Sequence, residues 1–148
     1  MRPLIWRVEL APIAVEDTRS IFRHLFASHH RAFGNPRERA RELASQRINS
    51  IVGSAQRLAK APYRGTRHTV RGRDYRHVTI DRATYWFLVD EATRTIRVVG
   101  IFHGGQDHLG RMLGRLAAEG TPGDGGMPVD GDTSPEGAPG EGGDGGER

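Results

Sequence analysis

The chain has 148 residues, enough for one domain, and no cysteine, which excludes disulfides, thiolate zinc sites and cysteine nucleophiles. Its net charge of +4 is unevenly spread. Residues 1–116 carry 21 Lys and Arg against 10 Asp and Glu, a net charge of +11, whereas residues 117–148 carry one Arg against eight acids, a net charge of −7. A G+C-rich genome would also inflate arginine, so it is the asymmetry that indicates an anionic partner.

The apolar segments are short. No run approaches the roughly 20 apolar residues that a membrane helix needs. The opening Met1–Trp6 turns charged at Arg7, which is too early for the apolar region of a signal peptide. We therefore expect a cytoplasmic protein with no membrane partner.

The N-terminal third predicts a strand followed by a helix. Residues 4–10 alternate, so that Trp6, Val8 and Leu10 share one buried face. Pro12 suits a first helical turn, and apolar residues at helical spacing predict a helix over about 12–29. Ala11 precedes this helix and offers no side-chain cap, which costs about 1 kcal/mol in stability.

The second helix has the clearest periodicity of the chain. Asn35 and Glu38 are spaced as a capping box around Pro36, which is predicted to be the first helical residue, and Pro62 ends the helix. The apolar stripe between these limits predicts that the two helices form a hairpin against a sheet.

The sheet is predicted from three apolar segments, residues 75–80, 83–89 and 95–102, joined by connectors of hairpin length. The middle segment is apolar on both faces and is predicted to be central. Asp107 is placed to cap a short last helix. The predicted fold class is α+β: an N-terminal strand, a two-helix hairpin, a three-stranded antiparallel meander and a short C-terminal helix.

Residues 117–148 are predicted to be a disordered acidic tail, which puts the domain at residues 1–116. This segment holds 11 glycines and four prolines, a composition that cannot bury enough apolar surface to offset its ordering entropy. Two roles are open: an inert extension, which we favour because exposed charges are screened by salt, or a segment that lies transiently on the basic face.

Three segments resemble the RelE/ParE toxin superfamily of type II toxin–antitoxin systems. Residues 8–14 with Asp17 and Ile21 resemble the family's opening strand and helix, and residues 62–65 its passage into the sheet. Residues 96–107, with the exit His-Gly-Gly-Gln-Asp, resemble its last strand. The resemblance spans residues 5–116. It implies a growth inhibitor that a cognate antitoxin neutralises, with operator DNA contacted only through that antitoxin.

The resemblance leaves two targets open. RelE-like members cut mRNA on the ribosome and ParE-like members poison DNA gyrase, on one scaffold. Two features look more ParE-like: the His-Gly-Gly-Gln-Asp segment that starts at His103, and the presence of a single lysine, Lys60. A non-enzymatic gyrase toxin is therefore preferred over an endoribonuclease. A basic nucleic-acid-binding accessory protein is a third reading, and it would need a base-reading motif, which is not visible.

If the chain is a nuclease, metal-free cleavage needs a proton acceptor, a proton donor and cations at the phosphate. The residue types of this chemistry are found at His103, Arg76, His77 and Arg73, and an anionic partner is expected to contact Arg64, Arg82 and His108. His103 could equally bond a turn carbonyl, and Tyr85, Trp86 and Phe87 are expected in the core. No cofactor or metal is expected, since His103 and His108 have no third ligand nearby in sequence.

Overall fold

The computed structural model describes residues 5–119. The first half contains β1 (Arg7–Leu10), α1 (Pro12–Ala27), a π-helical turn (Ser28–Ala32), α2 (Arg37–Ala55) and a 3-10 turn (Gln56–Lys60). The second half contains β2 (Thr66–Val70), β3 (Arg73–Ile80), β4 (Ala83–Asp90), β5 (Thr95–His103) and α3 (His108–Glu119). The predicted α+β fold class is confirmed. Among the described residues, no helix has the length and apolarity needed to cross a bilayer.

The five strands form one sheet in the order β1-β5-β4-β3-β2, with β1 parallel to β5 and the other neighbours antiparallel. The central position of β4 agrees with its prediction. Both loop residues of the β2–β3 and β3–β4 hairpins have positive φ, at Arg71 and Gly72 and at Asp81 and Arg82. This backbone matches the right-handed twist of the flanking strands and keeps both hairpins tight.

The structure adds a strand that the sequence did not predict. β2 is an edge strand whose side chains are exposed or half-buried, so it lacks the apolar alternation by which strands are recognised. The meander therefore has four strands rather than three.

The limits of the helices also differ from prediction. α1 ends at Ala27 and a π-helical turn follows it. The capping box was wrong: α2 starts at Arg37, after Pro36, and no side-chain hydrogen bond caps it. α3 runs to Glu119, three residues past the predicted domain limit. The rest of the predicted tail lies outside the described residues.

The helix-covered face of the sheet, against which α1 and α2 pack, holds the larger core. Tyr85 and Phe87 of β4 point into it and are fully buried. The Tyr85 hydroxyl donates to the Ile51 carbonyl oxygen of α2 at 2.7 Å, and burial raises the pKa of Tyr85 to about 12. Apolar residues from both helices, the 3-10 turn and three strands complete this core: Ala14, Ile21, Ile51, Ala55, Leu58, Ile80, Ala83, Ile96, Val98 and Ile101.

The opposite face, here called the α3 face, has a smaller core beneath α3. Met112 and Leu116 of that helix pack on Tyr75, Trp86 and Phe102. The predicted cap of α3 is confirmed, since Asp107 Oδ1 accepts the Gly110 N–H at 3.0 Å. Trp86 lies on one side of β4 and Phe87 on the other, which confirms that this strand is apolar on both faces.

A partly buried ion pair joins the two layers. The Asp17 carboxylate of α1 accepts two hydrogen bonds from the Arg115 guanidinium of α3, at 2.9 and 3.0 Å. Asp17 also accepts the Ile101 N–H at 3.0 Å, beyond the last residue that β1 pairs with β5. Asp17 therefore accepts a hydrogen bond from an N–H of β5 that β1 does not pair with, and it holds α3 to α1 through Arg115. It lies beyond the first turn of α1.

Candidate functional site

The sheet separates the predicted catalytic residues onto two faces. Successive side chains of a strand point to opposite sides. On β3, Val78 packs into the core of the helix-covered face and Tyr75 into that of the α3 face. Arg76 therefore lies on the helix-covered face, whereas Arg73 and His77 lie on the α3 face.

His103 lies on the helix-covered face, at the far end of the sheet from Arg76. It follows Ile101 by two residues, and Ile101 belongs to the core of that face. In the strand register, His103 is opposite Ala83, which is opposite Ile80. Arg76 is four residues before Ile80, which separates it from His103 by about 13 Å along the strands. The four predicted residues thus do not form one site.

A cavity of about 560 Å³ opens beside His103, between the two long helices, the β3–β4 turn and the end of β5. We call it the His103 cavity, and its lining residues are Leu25, His29, Arg47, Asp81, Arg82 and His103. Arg47 Nε donates to His103 Nε2 at 3.2 Å, and Arg47 Nη2 donates to the Asp81 carbonyl oxygen. These two bonds hold the Arg47 guanidinium on the wall of the cavity.

The environment keeps His103 neutral at pH 7. Burial lowers the pKa of His103, and the positive charges of Arg47, Arg82 and His24 lower it further. A neutral ring that accepts from Arg47 at Nε2 carries its proton on Nδ1. The basic nitrogen of His103 is therefore already engaged, which makes it a poor proton acceptor for a substrate.

A second group of histidines lies on the α3 face. This histidine cluster consists of His68, His77 and His108. The rings of His68 and His77 stack at 4.9 Å, with His68 Nε2 and His77 Nδ1 2.9 Å apart, and both lie 4.8 Å from the Trp86 ring. Trp86 Nε1 donates to His108 Nδ1 at 3.2 Å, and the His108 ring is 4.9 Å from His77.

Proton uptake at His77 is disfavoured by its surroundings. Burial lowers the pKa of His77, and nearby His108 and His68 lower it further. A neutral imidazole can accept a proton from a substrate hydroxyl. Within residues 5–119, no set of three or more His, Asp or Glu side chains is arranged to hold a metal ion.

The remaining predicted residues have structural partners or lie apart. Arg76 Nη1 donates to the Tyr63 carbonyl oxygen at 2.7 Å, and its guanidinium lies 5.5 Å from the Tyr63 ring centre. Arg73 is exposed beside a shallow cavity on the α3 face. Arg64 buries its Nε and Nη2 without a hydrogen-bond partner among the described residues. Arg82, in contrast, lines the His103 cavity, and His108 belongs to the histidine cluster.

Sequence reasoning missed His68 and Arg47. His68 lies on the unpredicted edge strand β2, and its pairing with His77 depends on the hairpin register. Arg47 is a half-buried residue of α2 between Gln46 and Ile48, and its sequence neighbours give no sign of a contact with β5. The only available signal was the close spacing of His68 and His77 around Arg71 and Gly72.

Comparison with known proteins reveals likeness in structure. No protein-family model matches the sequence, and no curated protein matches it. A chain of the RelBE2 toxin–antitoxin complex of Mycobacterium tuberculosis is 12% identical, with a TM-score of 0.48, over 71% of this chain and 98% of that one. A chain of the chromosomal ParDE toxin–antitoxin system of P. aeruginosa is 17% identical, with a TM-score of 0.50, over 68% and 98%.

The described residues have a fold of the RelE/ParE type. The expected resemblance is therefore confirmed at the level of architecture. Because one fold can carry more than one activity, the function does not follow from the fold alone.

Proposed function

We propose that the chain is the toxin of a type II toxin–antitoxin pair and that it inhibits growth by acting on DNA gyrase. The observation that carries the proposal is the RelE/ParE-type toxin fold of a strongly basic domain. A net charge of +11 over residues 1–116 provides a surface that an acidic antitoxin segment would complement. In this proposal the protein works in the cytoplasm and contacts operator DNA only through the antitoxin.

The dispersion of the predicted nuclease residues supports gyrase over mRNA as the target. RNA cleavage needs a proton acceptor, a proton donor and cations within hydrogen-bond reach of one phosphate. His103 and His77 lie on opposite faces of the sheet, and Arg76 is bonded to Tyr63. A toxin that acts through protein contact needs no such constellation.

One observation favours a second candidate, a ribosome-dependent endoribonuclease. The histidine cluster places three imidazoles around Trp86 on the α3 face, and the lowered pKa leaves His77 in the neutral form that a general base requires. This candidate uses His77, with His68 and His108 as its neighbours, and it does not use His103.

Growth and labelling experiments separate these candidates. Expression of the full chain should arrest growth, and co-expression of the adjacent small gene should restore it. Labelled thymidine incorporation should stop before labelled methionine incorporation, in the wild type and equally in His77→Ala and His103→Ala, which remove one histidine from each face. Arg76→Ala, which removes a third predicted nuclease residue, should act like the wild type as well.

Three results would contradict the gyrase assignment. An immediate stop in translation with mRNA cut within codons, relieved by His77→Ala, identifies the nuclease. The same relief by His103→Ala alone would identify a different catalytic centre. Harmless expression at high level would oppose any active toxin and leave the nucleic-acid-binding accessory protein. Circular dichroism of each variant checks that it is folded.

A further inference from the structure

The His103 cavity has one cationic wall and one apolar wall. Arg47 and Arg82, with the His103 ring beside them, form what we call the cationic wall, and Leu25 with the ring of His29 forms what we call the apolar wall. We propose that this cavity binds a nucleotide, with its phosphate at Arg47 and Arg82 and its base against Leu25 and His29. The cavity lies on the helix-covered face, away from the histidine cluster, and its binding is independent of the cellular target.

The guanidinium groups of the cationic wall are placed to receive a phosphate. Arg47 is fixed by its bonds to His103 and to the Asp81 carbonyl. The Arg82 guanidinium makes no hydrogen bond or ion pair with another described side chain, which leaves its planar fork available. Such forks bind phosphate oxygens in pairs of parallel hydrogen bonds.

The acid in the cavity does not cancel this charge. Asp81 is the carboxylate of the lining, and its Oδ2 lies 3.5 Å from Arg57 Nη1, outside the cavity wall. The pKa of His103 is lowered first by burial and then by Arg47, Arg82 and His24. The contribution of the two arginines agrees with a positive potential in the cavity. A phosphate beside His103 would favour the imidazolium and raise that pKa.

A neighbouring cavity shows the contrast. It has a volume of about 400 Å³ and is lined by Arg111 and Arg115 together with Asp17. There Arg115 already donates both of its terminal nitrogens to Asp17, so its charge is neutralised within the protein. In that cavity Arg111 alone is outside an ion pair with a described side chain, whereas in the His103 cavity neither Arg47 nor Arg82 is ion-paired with one.

The apolar wall and the volume distinguish a nucleotide from a free anion. Leu25 and His29 are half-buried, and a flat ring can stack on an imidazole and pack on a leucine side chain. A volume of about 560 Å³ falls within the roughly 300–1,000 Å³ of small-ligand sites. A bare phosphate would leave most of this space to water.

The binding test uses the full-length protein with four probes: AMP, inorganic phosphate, adenosine and a 5′-phosphorylated dinucleotide. Calorimetry should show AMP binding more tightly than phosphate or adenosine, and NMR should show the pKa of His103 rising when AMP is added. No AMP binding up to about 10 mM, or equal affinity for AMP and phosphate, would overturn the proposal. If the dinucleotide binds more tightly than AMP, the natural ligand is the phosphorylated end of a nucleic acid. If it binds more weakly than AMP, the natural ligand is a free nucleotide.

The matched variants are Arg82→Asn and Arg71→Asn. Both positions have positive φ in a hairpin turn, and asparagine tolerates this backbone better than most residues. Arg82→Asn should weaken AMP binding on the order of tenfold or more, and Arg71→Asn, in the other hairpin, should leave it unchanged. Equal losses for the two variants would show nonspecific attraction and overturn the site.

Discussion

The two faces of the sheet differ in what fills them. The helix-covered face packs a continuous apolar core from β1, β3, β4, β5 and both long helices. The α3 face has a core of five buried residues, two of which belong to its one short helix, and a group of histidines lies beside them. Because buried apolar area is the main source of folding free energy, the helix-covered face should set the stability of the domain. The α3 face can then carry polar chemistry with less effect on folding.

The largest effect should come from the core of the helix-covered face. Phe87 is fully buried there, and Phe87→Ala should lower the free energy of unfolding by about 3–5 kcal/mol. Met112→Ala, on the α3 face, should cost about 2 kcal/mol, near the low end for such changes. Urea denaturation measures both.

Phe33→Ala is the control for this pair, since Phe33 is 73% exposed, and it should change stability by less than about 0.5 kcal/mol. An equal or larger loss for Met112→Ala than for Phe87→Ala would erase the difference between the two faces.

The link between the faces should come next in size. Asp17→Ala leaves the Ile101 N–H without its acceptor and leaves the Arg115 guanidinium with only the Val99 carbonyl oxygen, and should cost about 2–3 kcal/mol. This is below the cost of breaking a fully buried pair because both side chains remain partly exposed. A double-mutant cycle with Arg115→Met gives the coupling energy. Additive losses would mean that the ion pair does not anchor α3.

A smaller effect is expected from one hydrogen bond of the larger core. Tyr85→Phe removes the hydroxyl that donates to the Ile51 carbonyl oxygen and keeps the ring in place. The free energy of unfolding should fall by about 1 kcal/mol. Thermal or urea denaturation can detect this change, and a loss as large as that of Phe87→Ala would mean that the bond, rather than the packing, stabilises this face.

The smallest effect is a pH dependence from the α3 face. The pKa of His77 is lowered in the folded protein by burial and by His108 and His68. Above pH 6.5 the ring is neutral in both states and contributes nothing. As the pH falls below 6.5, the unfolded chain takes up a proton that the folded chain does not, so stability decreases until the pH reaches the folded pKa.

The comparison of wild type with His77→Gln isolates this contribution. The urea midpoint should fall between pH 7.5 and 5.5 in the wild type and fall less in the variant. His103, whose pKa is lowered in the same direction, remains in both proteins as an internal reference. An identical decline in the two proteins would mean that His77 does not contribute to the pH dependence of stability.

Local patterns in the sequence were sufficient for most of the fold. The alternation of Trp6, Val8 and Leu10 and the doubly apolar strand around Trp86 predicted β1 and the central strand, because burial of a face leaves a period that can be counted. β2 left no such pattern, since an edge strand buries little. The start of α2 was predicted one residue too early, at Pro36, because proline suits both the cap position and the first helical turn.

The candidate site was less accessible to sequence reasoning because it depends on register and on long-range packing. The residue types at His77 and His103 were recognised, but their placement on opposite faces follows from the strand register, which puts His77 opposite Trp86 and His103 opposite Ala83, three residues earlier on β4. The contact of Arg47 with His103 joins residues 56 positions apart. No local pattern encodes such a contact.

The most direct test of the central claim is a DNA supercoiling assay with purified gyrase and the full-length protein. A toxin that acts on gyrase by protein contact should stop supercoiling of relaxed plasmid and leave cleaved DNA, and His77→Ala and His103→Ala should act like the wild type. Addition of the cognate antitoxin should restore supercoiling. Undisturbed supercoiling at a molar excess of the protein, together with cleavage of ribosome-bound mRNA that His77→Ala abolishes, would contradict the account.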